Sequence, residues 1–84
     1  MNNAQILEEL TEIFRDVLNN GSLTLAPETT AADVPDWDSF NHINIVVAAE
    51  LRFGIKFKTA ELEKLRNVEE FVTLIEQKSA QKLR

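Results

Sequence analysis

The sequence contains no cysteine. Disulfide staples, thiolate chemistry and cysteine-based zinc sites are excluded with it. Stability has to come from packing, and any thiol used in function has to arrive on a cofactor. There is a single histidine, no glycine-rich phosphate loop and no cluster of metal-ligand residues, so no metal site is expected. No run approaches the ~18 consecutive apolar residues of a membrane span. The start, Met1-Asn2-Asn3, lacks a basic region followed by an apolar stretch. No signal peptide and a cytoplasmic location are therefore expected.

Length is also in short supply. The 84 residues give room for one domain, taken as 1–84, with one modest core. A catalytic cleft walled off from water usually needs more scaffold, so an enzyme is not expected. With 44% hydrophobic and 27% charged residues the chain reads as a globular domain rather than a disordered tail.

The net charge of −5 is unevenly spread. Residues 1–42 carry eight acids against Arg15 alone, giving −7, while residues 43–84 carry six acids and eight bases, giving +2. An acidic front half repels nucleic acid and anionic lipid and draws in basic protein surfaces. No nucleic-acid partner is expected.

Ile6, Leu7, Leu10, Ile13, Phe14, Val17 and Leu18 recur at spacings of three and four. This predicts a helix over 3–18, stopped by Asn19-Asn20-Gly21. From Ser22 to Trp37 the helical period vanishes, Pro27 and Pro35 intervene, and at most a short turn fits around Thr29–Asp33. So long a connection in a compact domain is expected to be functional or packed by its own side chains, with Leu23, Leu25, Val34 and Trp37 as its anchors. A second helix is predicted over 39–53, capped by Asp38 and closed by Gly54, with Phe40, Ile43, Val46 or Val47, and Phe53 at helical spacing. A short third helix is predicted over 59–65. A fourth is predicted over 68–78, opened by an Asn67/Glu70 capping box, with 79–84 fraying. The fold class is all-α, a four-helix bundle of three longer helices and one short one behind a long first loop.

Two polar positions at the head of the second helix could carry chemistry. Ser39 and His42 lie three apart and share a face, but a nucleophilic pair also needs an orienting acid and an oxyanion hole in a sheltered site. His42 is expected to be solvated or partner-facing. Asp38-Ser39 in front of an apolar helix is by itself a cap. Its position adds something, because a phosphate on Ser39 would meet the free N–H groups and positive dipole of the helix start.

The run Trp37-Asp38-Ser39-Phe40, with Phe53-Gly54-Ile55 after the helix, resembles the Asp-Ser-Leu region of acyl carrier proteins. The likeness spans nearly the whole chain. It implies a freestanding, monomeric carrier with 4′-phosphopantetheine, taken from coenzyme A by a phosphopantetheinyl transferase, attached to Ser39. The missing cysteine then has a reason, since the arm brings the thiol. Asp38 would be the motif acid and cap. Phe40 replaces the usual leucine and, with Asn44, Val47, Glu50 and Leu51, would face partners. Those partners would be the acyl-loading and acyl-transfer enzymes of fatty-acid or related lipid synthesis, and an acyl chain would be the cargo. Ile43, Val47, Phe53, Ile55, Leu62, Leu65 and Val68 would line the interior in which such a chain folds back. Only Glu50 remains as an acid between Ser39 and Phe53, where the family commonly displays several. Weaker steering toward generic partners, and hence a specialised carrier, is expected. An aminoacyl or peptidyl carrier, or an unmodified helical interaction module, are the alternatives.

Overall fold

A computed structural model of the protein describes residues 2–82. Its elements are α1 (Asn3–Val17), a 3-10 turn (Ala31–Asp33), α2 (Ser39–Phe53), α3 (Thr59–Glu63) and α4 (Val68–Lys82). The described residues form an all-helical bundle in which α1 packs on both α2 and α4.

Each long helix begins on a side-chain acceptor that satisfies an N–H left free by the helical ladder. Asn2 accepts from Gln5 N at 2.9 Å, and Gln5 returns the bond at 3.1 Å, closing a capping box. Asp38 accepts from Asn41 N at 2.9 Å. Asn67 accepts from Glu70 N at 2.9 Å, but the Glu70 carboxylate reaches Arg66 N at 2.6 Å, one residue before its expected partner. Helix ends follow the same logic. α1 stops at Leu18 because Asn19 turns left-handed at φ 53°, so the asparagine and not Gly21 makes the break. α2 stops because Gly54 is left-handed at φ 67°, which a residue without a Cβ adopts freely.

The core is one cluster. From α1 come Ile6, Leu10, Ile13 and Phe14; from α2 Ile45, Val46, Ala49 and Phe53; from α4 Val68, Phe71, Val72 and Ile75. Val34 and Ile55, from the connections, close it. Among the interior residues expected from the sequence, Phe53, Ile55 and Val68 are buried and Leu62 and Leu65 half-buried. Ile43 and Val47 are not interior: they are 62% and 48% exposed. α2 is apolar nearly all round, so spacing alone could not choose its inner face.

The long first loop is packed and tied. Leu23, Leu25 and Trp37 lie half-buried against the core, and Arg15 Nε donates to Leu23 O at 2.6 Å. Val68 N donates to Thr29 O at 2.9 Å and Glu69 N to Pro27 O at 2.8 Å. The loop thereby satisfies the first N–H groups of α4.

α3 ends at Glu63, two residues earlier than the expected 59–65, because Lys64–Arg66 turn back to bring Asn67 to the head of α4. It has no fully buried residue. Lys78 Nζ of α4 pairs with Glu61 at 2.9 Å, and Glu61 also accepts from Lys58 N at 2.8 Å. The Lys58 N–H first, and Lys78 second, hold the Glu61 carboxyl below the usual range. This tie is present above the unfolded pKa and is lost as pH falls through the lowered folded value.

α4 continues through Lys82, four residues past its expected end, so 79–82 are helical rather than frayed. Ser79, Ala80 and Gln81 offer no break, since glycine and proline are absent there. The expected fraying of 83–84 lies outside the described residues. Ser79 Oγ is buried with no hydrogen-bond partner among them. Ser79→Ala is expected to raise the unfolding free energy by about 1 kcal/mol, by removing an unsatisfied hydroxyl and improving helix propensity. Urea titration of both proteins checks it.

Candidate functional site

Ser39 is the first residue of α2, exposed, directly after the Asp38 cap. Its own N–H and that of Phe40 have no acceptor among the described residues. They sit at the positive end of a 15-residue helix. The approach to this point is tied by hydrogen bonds. Asp36 adopts φ 71°, Asp38 N donates to Asp36 O at 3.0 Å, and Asn41 Nδ2 donates to the same carbonyl at 2.8 Å. Asn41, which nothing in the sequence pattern marked, straps the loop to the helix it precedes.

An open cleft of about 730 Å³ begins at Ser39. Trp37, His42 and Ile43 form one wall, and Leu65, Arg66 and Asn67 of the α3–α4 connection face them. His42, expected to be solvated or partner-facing, is half-buried in an aromatic row. Trp37 meets Phe14 edge-on at 4.8 Å and stacks near His42 at 6.1 Å, and Phe71 follows His42 at 6.3 Å. Trp37 Nε1–H donates to His42 Nδ1 at 3.1 Å. An indole nitrogen can only donate, so Nδ1 carries a lone pair and the proton sits on Nε2.

Burial lowers the His42 pKa. A base whose folded pKa is lowered contributes its stability in full above the unfolded value, about 6.5, and loses it as pH falls through the folded one. Wild type should therefore lose more stability between pH 7.5 and 5.5 than His42→Gln does, read by urea unfolding.

Of the side chains expected to face partners, Phe40 is 73% and Leu51 80% exposed, with Val47 and Asn44 also outward. Ile43 joins them. Spacings of three, four and four place Phe40, Ile43, Val47 and Leu51 on one stripe, opposite the buried face of α2. Glu50 does not belong to it. Its carboxylate is half-buried and accepts from Phe57 N at 2.9 Å, shaping the α2–α3 connection. Arg52 points toward α1, where it meets Glu9 at 3.0 Å and Glu12 at 2.6 Å. The outer stripe of α2 is left without charge.

The residues present fit a phosphodiester-linked arm. An exposed hydroxyl stands among free N–H donors, the neighbouring Asp38 carboxylate is occupied as a cap, and Glu63 and Arg66 both line the cleft. No group of three or more metal-ligating side chains occurs among the described residues, and no described helix is long and apolar enough to cross a membrane.

No family model matches the chain. It is 31% identical over 80 residues to an acyl carrier protein of Thermosynechococcus vestitus, covering 95% of this chain and 99% of the relative. It is 34% identical over 71 residues to an acyl carrier protein of Myxococcus xanthus, covering 84% of this chain and 90% of the relative. The solution structure of a holo acyl carrier protein from Geobacter metallireducens superposes with a TM-score of 0.87 at 44% identity, over 93% of this chain and 90% of that one. With this fold, this helix head and these relatives, the chain belongs to the acyl carrier protein family, whose members are carriers rather than enzymes.

Proposed function

We propose that the protein carries acyl groups as thioesters on a 4′-phosphopantetheine arm attached to Ser39, and presents them to partner enzymes along the outer stripe of α2. The observation that carries this reading is the placement of an exposed Ser39 hydroxyl at the capped head of α2, opening onto the cleft. In the modification, Ser39 Oγ forms a new ester bond to the phosphorus nearest the pantetheine in coenzyme A. The bond from that phosphorus to the adenosine bisphosphate half breaks, and the hydroxyl proton leaves with the transferase's base. The arm, once present, supplies the thiol this chain lacks. Asp38 holds the first turn by capping Asn41 N, and the free N–H groups of Ser39 and Phe40 favour the phosphate's negative charge.

Phe40, Asn44, Val47 and Leu51, with Ile43, form the partner-facing surface, and Glu50 is set aside from it. A stripe without free carboxylates gives little long-range steering, which favours dedicated partners with apolar grooves over enzymes that recognise acids through basic patches. Acyl transfer with such a partner should depend only weakly on ionic strength.

The acyl role is tested on protein purified from its own cells and treated with neutral hydroxylamine, which cleaves thioesters. Loss of an acyl mass, with the arm retained, is the expected result. An arm that never carries a hydroxylamine-labile group would sink the acyl reading.

A further inference from the structure

We propose that His42 is a positioning residue for the arm: Trp37 orients its imidazole so that Nε2–H donates to the phosphodiester on Ser39 and holds the arm along the cleft toward Leu65 and Arg66. The inference rests on the reading of Ser39 as the attachment point.

Three observations converge on it. Residues three apart on a helix are neighbours, about 5–6 Å between Cβ atoms. Helical side chains lean toward the N-terminus, so His42 covers the turn that begins with Ser39. Second, the Trp37 bond to Nδ1 fixes the ring in one tautomer with one free donor. Stacking on Trp37 and packing near Phe71 fix its plane. Such a held imidazole costs little further ordering when it meets a ligand. Third, His42 lines the same cleft that opens at Ser39. A half-buried polar group beside that opening gains an acceptor when an anion is attached there.

The other charged groups around the cleft are Asp38, Glu63 and Arg66. Asp38 is engaged with Asn41 N, and Arg66 lines the cleft from the α3–α4 connection. Glu63 and Arg66 bring opposite charges to the cleft, so the directed bond comes from His42. Spacing from Ser39 suggested only a shared face, so no such role for His42 was legible before the fold closed.

The test uses the holo protein, prepared with coenzyme A and a broad-specificity phosphopantetheinyl transferase and verified by intact mass. A phosphodiester does not titrate near neutrality, so its ³¹P resonance should be flat with pH unless a neighbour titrates. In wild-type holo protein the ³¹P shift should move between pH 5 and 8 with the same midpoint as the His42 ring signals. That midpoint should lie above the one in the apo protein. In holo His42→Gln the ³¹P shift should be flat. A flat ³¹P profile in wild-type protein of verified holo mass, with the His42 titration unchanged from apo, overturns the inference and leaves the attachment reading standing. Absence of any mass gain sinks both.

Discussion

Phe71→Ala is expected to lower the unfolding free energy by about 3–5 kcal/mol, the range for removing a fully buried aromatic side chain. Phe71 is 1% exposed and meets Phe57 edge-on at 5.8 Å and His42 at 6.3 Å. It is the point where α4 supports both the α2–α3 connection and the aromatic row beneath the cleft. The loss combines the transfer term, the cavity left behind and the aromatic contacts. For a domain this small, each kcal/mol moves the melting temperature by about 4–8 °C, so a fall of at least about 12 °C is expected by circular dichroism. Total stability of small domains is only about 5–15 kcal/mol, and much of the variant could be unfolded at 37 °C. Phe71→Leu, which keeps most of the volume, should lose far less. A fall of under about 1 kcal/mol for the alanine variant would mean that Phe71 is not packed in the core as described.

The second large effect separates function from stability. Replacing Phe40 and Leu51 together by alanine should leave the unfolding free energy within about 0.5 kcal/mol of wild type, because exposed surface positions contribute little. Both side chains stand in solvent, at 73% and 80% exposure. The same double variant should lose at least about tenfold in kcat/KM for acyl transfer with a dedicated partner enzyme. Apolar anchors at the centre of an interface commonly contribute 2 kcal/mol or more, and 1.4 kcal/mol is already about tenfold. Equal kcat/KM for the double variant and wild type would remove the α2 stripe from the docking surface.

Those two predictions mark where the sequence was readable and where it was not. Helix ends were legible, since caps are local chemistry: Asp38 before Ser39, Gly54 after Phe53 and Asn67 before Val68 all act within a few residues of themselves. The inner faces of α1 and α4 were legible because their apolar residues form a single stripe. α2 was different. Ile43, Ile45, Val46, Val47 and Leu51 surround the helix, so only tertiary packing decides that Ile45, Val46 and Ala49 go inward. The long loop could be recognised as a loop with anchors. That its Pro27 and Thr29 carbonyls would satisfy the head of α4 is a contact across about forty residues, which no local pattern encodes.

At the candidate site the same division holds. Asp38 caps α2 and Ser39 follows it exposed, both local features, and Phe40 and Leu51 stand in solvent. The commitment of Glu50 to Phe57 N, the strap made by Asn41 and the pairing of His42 with Trp37 all depend on how the chain closes on itself. A histidine five residues after a tryptophan is an ordinary sequence feature. Only the chain between them, extended at Asp38 and helical from Ser39, brings the two rings to hydrogen-bonding distance.

The central claim is that this chain is a carrier modified on one serine. It is tested most directly by the intact mass of wild type and Ser39→Ala after incubation with coenzyme A and a broad-specificity phosphopantetheinyl transferase. The expected result is the gain of one phosphopantetheine on the wild type and none on the variant, with both folded by circular dichroism. No gain on folded wild-type protein, or an equal gain on the alanine variant, would contradict it.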